Sequence, residues 1–382
     1  MKKLIATFAA LVVALGSAFA QDLAAVTEIY NAGAAAVSTD KEGALKSFEQ
    51  ALTLATALGE EGQEVVANCK NIIPNLKLSI AKDLVKAQKF DEAVAALAEV
   101  AEVAEKYEAL DALEDAKTLL PQVKMSKATN LLNAKDYDGA IAAYKEIVDA
   151  DPTNGAAALR LGVAYNAANK LDEAKAAFEQ AAANGQEATA NKQIGNILLK
   201  EAAAFLKDKK YADAVAAAAK VNDYAENAQA WQVAGQASQA AGKLAEAREA
   251  FEKAAANGQE ATAKKQIGNI YLKEAAAFLK DKKYADAVAA AAKVNDYTEN
   301  AQAWQVAGQA SQLGGKNNDA IKYFEKYLEV APTASNAGQI AFTVGALYQQ
   351  AKNNAKAREY YTKATSDPKY GAEAKKMLDA LK

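Results

Sequence analysis

The chain has 382 residues, with 45 basic and 48 acidic side chains, no histidine and a formal net charge of −3. So even a balance leaves no basic patch for phosphates, which argues against a nucleic-acid partner. Absent histidine removes the commonest metal ligand and the commonest general base, and a single cysteine, Cys69, allows no intrachain disulfide.

The first twenty residues read as a signal peptide. Lys2 and Lys3 form a positive start, Leu4 to Leu15 an apolar stretch, and Ala18-Phe19-Ala20 a small-x-small cleavage signature, so the mature chain is expected to begin at Gln21. The apolar stretch is short for a permanent membrane span, and an uncleaved signal anchor is the competing reading. The mature chain is expected in the periplasm, without membrane insertion; secretion or tethering by an uncleaved signal is the alternative.

Beyond residue 20 the apolar positions follow helical spacing, and no alternating strand pattern occurs. Residues 21–120 read as helical hairpins with extended helices, and 121–371 as a more regular array. Asp151-Pro152-Thr153-Asn154, Asn257-Gly258 and Ala331-Pro332-Thr333 punctuate the helices with turn formers. Residues 372–382 close the chain as a short capping helix, with Lys375, Lys376 and Lys382 on its solvated side. Cys69 stands among Val65, Val66, Ile72 and Ile73, which reads as a buried thiol.

Within the array, residues 178–239 recur at 251–312 with four substitutions: Gln180/Lys253, Asn191/Lys264, Leu198/Tyr271 and Ala225/Thr298. The offset of 73 residues is the length of two helical hairpins. One hairpin carries Leu161-Gly162, Tyr165, Ala174 and Phe178. The same frame recurs at Trp231, Gly235, Ala247 and Phe251, at Trp304, Gly308, Ala320, Phe324 and Pro332, and at Val344, Gly345, Tyr348, Ala357 and Tyr361. Partial copies stand at Ala44/Phe48, Ala93/Leu97 and Ala140/Tyr144/Pro152.

This frame resembles the tetratricopeptide repeat. The resemblance implies an all-α, right-handed superhelical solenoid of about nine hairpins plus the capping helix. Hairpin starts are expected near residues 25, 74, 121, 155, 195, 228, 268, 301 and 338. Extended helices in the first two hairpins, and longer links before those near 195 and 268, would absorb the uneven spacing.

In the family, partners bind along a concave groove lined by the first helix of each hairpin. Carried onto this chain, that face holds Gln229, Gln232, Gln236 and Gln239, then Gln302, Gln305, Gln309 and Gln312. Ala240 and Leu313 complete the two sets, and Gln339, Gln349 and Gln350 extend them. Between them stand aliphatic rows, Leu199, Ala203 and Leu206, then Leu272, Ala276 and Leu279. Amides donate and accept, so such rows suit an extended peptide backbone; a solvated helix face made of good helix formers is the plainer reading. Trp231 and Trp304 occupy packing positions of the frame. The family's Lys/Asn/Arg clamp for a terminal carboxylate is missing, because Arg160 and Lys200 lack the accompanying Asn and Lys.

The expectation is therefore a non-enzymatic scaffold of the cell envelope that holds protein or peptide segments, with no catalytic residue, metal or cofactor. The alternative is a structural or assembly subunit of a larger envelope complex, docking through its outer face or end repeats. A pocket-bearing accessory or enzyme is a third class, with no phosphate-cradling or nucleophilic motif behind it.

Overall fold

The structure, a computed structural model, describes residues 23–381. The signal-peptide segment expected at 1–20 lies outside the described residues. Among those described, all regular structure is helical, and within each unit the helices pack in hairpins.

The first unit runs to Asn191. Its hairpins pair α1 (Leu23–Ala36) with α2 (Lys41–Ala57), α3 (Gln63–Lys86) with α4 (Phe90–Lys106), and α5 (Leu110–Asn133) with α6 (Tyr137–Ala150). The fourth pairs α7 (Gly155–Ala167) with α8 (Leu171–Ala181). The second unit begins at Lys192, inside α9 (Glu187–Lys207), which turns at 208–210 into α10 (Tyr211–Tyr224), with Gly195 facing Val221 across the hairpin. There follow α11 (Ala228–Ala240) with α12 (Leu244–Ala254), α13 (Glu260–Lys280) with α14 (Tyr284–Tyr297), and α15 (Ala301–Leu313) with α16 (Asn317–Val330). The last pair is α17 (Ala337–Gln350) with α18 (Asn354–Ala364), closed by α19 (Gly371–Ala380).

Four hairpins begin upstream of where the sequence set them. Starts expected near 74, 121, 195 and 268 fall at Gln63, Leu110, Glu187 and Glu260. The long first helices belong to the second and third hairpins, at 24 residues each, while α1 has 14. Pro74 and Pro121 stand at two of the expected starts, where a proline would suit a helix's first turn. Both lie inside helices instead, and each removes one backbone hydrogen bond. The helices run through them because the upstream turns are buried: Val65, Cys69 and Ile73 in α3, Ala112 and Ala116 in α5. Likewise, the spare residues before 195 and 268 form helix rather than loop. Ala190 and Ala263 are wholly buried, and the links left over are the five-residue 182–186 and 255–259.

Packing within a hairpin turns on a glycine facing an aromatic ring. Gly162 faces Phe178, Gly235 Phe251, Gly308 Phe324 and Gly345 Tyr361, and a β-carbon on any of these glycines would stand within 2.8 Å of the ring. The four aromatics are among the largest fully buried side chains. Burial of each contributes about 1.5–3 kcal/mol, which the many small alanines do not match.

The turn inside most hairpins has one geometry. A residue at positive φ follows the first helix, and the next N–H closes back onto a carbonyl five residues earlier, as Lys210 does to Phe205 and Lys243 to Ser238, both at 2.9 Å. Caps start many helices: Asp40, Asp136, Asn154, Asn227, Asn300 and Asn353 accept backbone N–H bonds. At the chain's end, α19 seals the last hairpin by burying Ala374, with Met377 and Leu378 packed beside it.

Candidate functional site

The candidate surface lies in the second unit, on α11, α13 and α15. Two asparagines set each glutamine-bearing helix. Asn222 Oδ1 accepts the N–H of Asn227 at 2.8 Å, and Asn227 Oδ1 accepts those of Gln229 and Ala230 at 2.9 and 3.1 Å. Asn295 and Asn300 repeat the arrangement ahead of α15, at 2.8 Å and then 2.9 and 3.3 Å. Each helix is thus started by a side chain that its predecessor holds in place.

The eight glutamines do not share one environment. Gln229, Gln236, Gln302 and Gln312 are exposed, and Gln239, Gln305 and Gln309 are half-buried. Gln232 departs from the expected solvated stripe: it is only 5 % exposed, and neither its Oε1 nor its Nε2 has a hydrogen-bond partner. Further along, Gln349 Oε1 accepts the Tyr361 hydroxyl at 2.7 Å, and Gln350 Oε1 accepts from Asn317 at 3.3 Å, so these two amides are engaged within the fold. In the aliphatic rows, Ala203 and Ala276 are exposed, while Leu199, Leu206, Leu272 and Leu279 are half-buried. Leu272 and Leu279 pack against a core containing Val306 and Ala307 of α15, which fixes α13 beside that helix.

The two tryptophans occupy unlike settings despite their duplicated origin. Trp231 Nε1 donates to Glu226 at 2.9 Å, Asn257 Nδ2 donates to the same carboxylate oxygen at 3.0 Å, and Lys253 Nζ stands 4.5 Å from the indole centroid. Trp304 stacks on Tyr323 at 5.9 Å and 18°, and its buried Nε1 has no partner. The difference comes from the helices that follow each tryptophan: at the offset of 73, Asn257 and Tyr323 correspond to Val330 and Ala250, while Lys253 corresponds to Lys326.

A second arrangement, which sequence reasoning did not find, joins the last two hairpins. The hydroxyls of Tyr348 and Tyr360 both donate to Glu325 Oε1, at 2.7 and 2.9 Å, and their rings stack at 5.8 Å. Burial, reinforced by the bond to Glu325, pushes the Tyr348 phenol up to about 12 and the Tyr360 phenol further above its ordinary range. Beside them, hydrogen bonds from Lys356 and Lys363 hold the Glu359 carboxyl below the usual range. The frame flags Tyr348 as a packing residue, but only the folded chain brings Glu325 to it.

The described residues contain no group of three or more His, Cys, Asp or Glu side chains able to hold a metal ion, and no helix among them is long and apolar enough to cross a membrane. Burial pushes the Cys69 thiol up to about 11, away from the range of a reactive thiolate.

A tetratricopeptide repeat family model matches residues 131–192, and a second matches 228–256 and 301–333. No curated protein matches the chain. Among solved structures, a tetratricopeptide repeat protein from Parabacteroides merdae is similar at 15 % identity and TM-score 0.28, over 68 % of this chain and 98 % of that one. The yeast Sti1 TPR2AB domain, in a complex with pHSP90, is similar at 16 % identity and TM-score 0.35, over 69 % and 97 %. Pseudomonas aeruginosa pilF is similar at 15 % identity and TM-score 0.25, over 57 % and 95 %. With the hairpin frame, its glycine–aromatic contacts and the two matching family models in place, the chain carries tetratricopeptide repeats at 131–192, 228–256 and 301–333.

Proposed function

We propose that this protein is a non-enzymatic interaction scaffold of the cell envelope, exported by residues 1–20, which holds extended protein segments along the first-helix faces of α11, α13 and α15. The supporting observation is the set of side-chain amides, Gln236, Gln239, Gln305 and Gln309, that accompany the aliphatic row of α13 without bonding to other described residues. An amide offers both a donor and an acceptor, so it pairs with a peptide group of either orientation and makes no demand on charge. The leucines between the amide helices supply apolar contact for alternate side chains of the same segment.

The test is crosslinking with mass spectrometry in the native envelope, run on the wild type and on a Gln236→Ala, Gln305→Ala, Gln309→Ala triple variant. Gln232 is left intact because its burial would confound stability with binding. Partners lost from the triple variant, with the unfolding temperature within a degree or two, uphold the reading. Unchanged partners would move the contact to the second-helix side or to the end hairpins.

A further inference from the structure

The second unit contains a cavity of about 820 Å³ walled by α16, the following linker, the start of α17, α18 and the turn at 366–368. None of the glutamines of α11 and α15 lines it, so it is separate from those rows and does not depend on them. We propose that this cavity binds a primary ammonium group on an alkyl chain, with Glu325 as its counter-ion.

The first support is the state of the lining carboxylates. Asp367 Oδ1 accepts the N–H groups of Lys369 and Tyr370, both at 2.9 Å. Glu329 is held by Lys326 at 2.7 Å. Glu325 has no lysine or arginine partner among the described residues, and both of its hydrogen bonds fall on Oε1. Its second oxygen is left for a ligand, and the two phenols fix the carboxylate's orientation before anything binds.

Lys356 senses the charge of Glu325, but neither lining lysine forms an ion pair with it. Lys356 and Lys363 reach Glu359 at 2.8 and 2.9 Å, two cations sharing one carboxylate, and the Lys363 ammonium also lies 4.2 Å from the Tyr360 ring centroid. Counting Glu359 and Lys326 with the lining side chains leaves one negative charge in excess, and Glu325 and Asp367 are the two lining carboxylates without a lysine or arginine at salt-bridge distance among the described residues. Geometry then selects the cation. A guanidinium fork binds best to both oxygens of a carboxylate, whereas a single free oxygen suits a compact ammonium. Leu328, Pro332, Ala341 and Pro368 offer the apolar wall along which methylene groups would lie. The volume is within the roughly 300–1,000 Å³ of small-ligand sites, so it admits either a free alkylamine or a lysine side chain with its flanking residues.

The experiment titrates the full chain by calorimetry and by NMR with two probes, 1,5-diaminopentane and an acetylated, amidated Gly-Lys-Gly peptide. Saturable binding of at least one probe is expected. Glu325→Gln should weaken it about tenfold or more while still accepting both phenol bonds. Ser335→Lys, at an exposed lining position, should abolish binding by supplying an internal ammonium, and it leaves the Glu325 network untouched if Glu325→Gln proves unstable. Preference for the diamine identifies a free amine as the ligand, and preference for the peptide identifies a partner protein's lysine. Absence of saturable binding by both probes, or binding unaltered in the variants, overturns the proposal.

Discussion

Gly235 lies so close to Phe251 that a β-carbon on the glycine would stand 2.6 Å from the ring. The same contact recurs at Gly308 and Phe324, at 2.5 Å. Neither ring can retreat, because both are buried to within 1 % and packed into a core. Gly235→Ala and Gly308→Ala are therefore expected to destabilise the protein by about 1–3 kcal/mol each, despite alanine's better helix propensity. Gly195 supplies the control. Its β-carbon would meet only Val221 Cγ1, at an ordinary 3.7 Å, so Gly195→Ala should be neutral or stabilising by up to about 1 kcal/mol. Urea unfolding of the three variants checks the contrast, and equal losses would refute the close-packing argument.

The hairpin turns allow a test in the opposite direction. Lys209 and Lys282 adopt φ of 62° and 59°, where the glutamine-bearing hairpins place Gly242 and Gly315 at 80° and 75°. A left-handed conformation costs an L-residue about 1–2 kcal/mol, partly offset by glycine's larger loss of freedom on folding. Lys209→Gly and Lys282→Gly should each raise stability by about 0.5 kcal/mol. Gly242→Lys should lower it by about the same amount, read from denaturation midpoints.

The repeat frame was legible from residues alone wherever a glycine and an aromatic stand at fixed spacing, and α7, α11, α15 and α17 begin at or next to their expected starts. It misplaced the starts of α3, α5, α9 and α13 because helix length is decided by burial against neighbouring helices, which a motif frame does not contain. Pro74 and Pro121 show the same thing: proline disfavours a helix interior, yet packing carries both helices through them. The glutamine rows were legible as a stripe, but the burial of Gln232 was not, because its near-copy Gln305 stays half-buried in an almost identical sequence. Glu325 was invisible for a related reason: its meaning comes from two tyrosines that lie 23 and 35 residues away.

The unlike settings of the two tryptophans predict unlike emission. In a Trp304→Phe variant the remaining Trp231 donates to Glu226 beside the Lys253 ammonium. In Trp231→Phe the remaining Trp304 has a buried, unbonded Nε1 against Tyr323. Trp304 should emit at shorter wavelength and resist acrylamide quenching more strongly. Identical spectra would mean that the copies share one environment in solution.

Alkaline pH should weaken the fold, and Cys69 accounts for the first step. Its thiol is raised from 9.0 to about 11 by burial, so between these values the folded chain retains a proton that the unfolded chain releases. Stability then falls as pH rises through that window, by an amount on the order of 2 kcal/mol. Tyr348, raised from 10.0 to about 12, extends the decline in the same direction. Urea midpoints measured from pH 8 to pH 11 should fall for the wild type and less steeply for Cys69→Ala. An equal slope in both would show that Cys69 is not the group concerned.

Gln232 gives the sharpest separation between a functional amide and a structural one. A buried amide without partners loses its hydration and recovers nothing, a penalty of about 1–3 kcal/mol. Gln232→Met keeps the length and volume of the side chain and removes both polar atoms, so it should stabilise the protein by about 1 kcal/mol or more. The same change at half-buried Gln305 should be close to neutral, because that amide keeps some contact with water. Paired stability measurements on the two variants read the difference directly. If Gln232→Met stabilises the chain yet abolishes partner crosslinks, the amide is held against its own folding cost for the sake of binding. If it stabilises the chain and leaves partners unchanged, Gln232 belongs outside the recognition surface, and the exposed and half-buried glutamines carry that role without it.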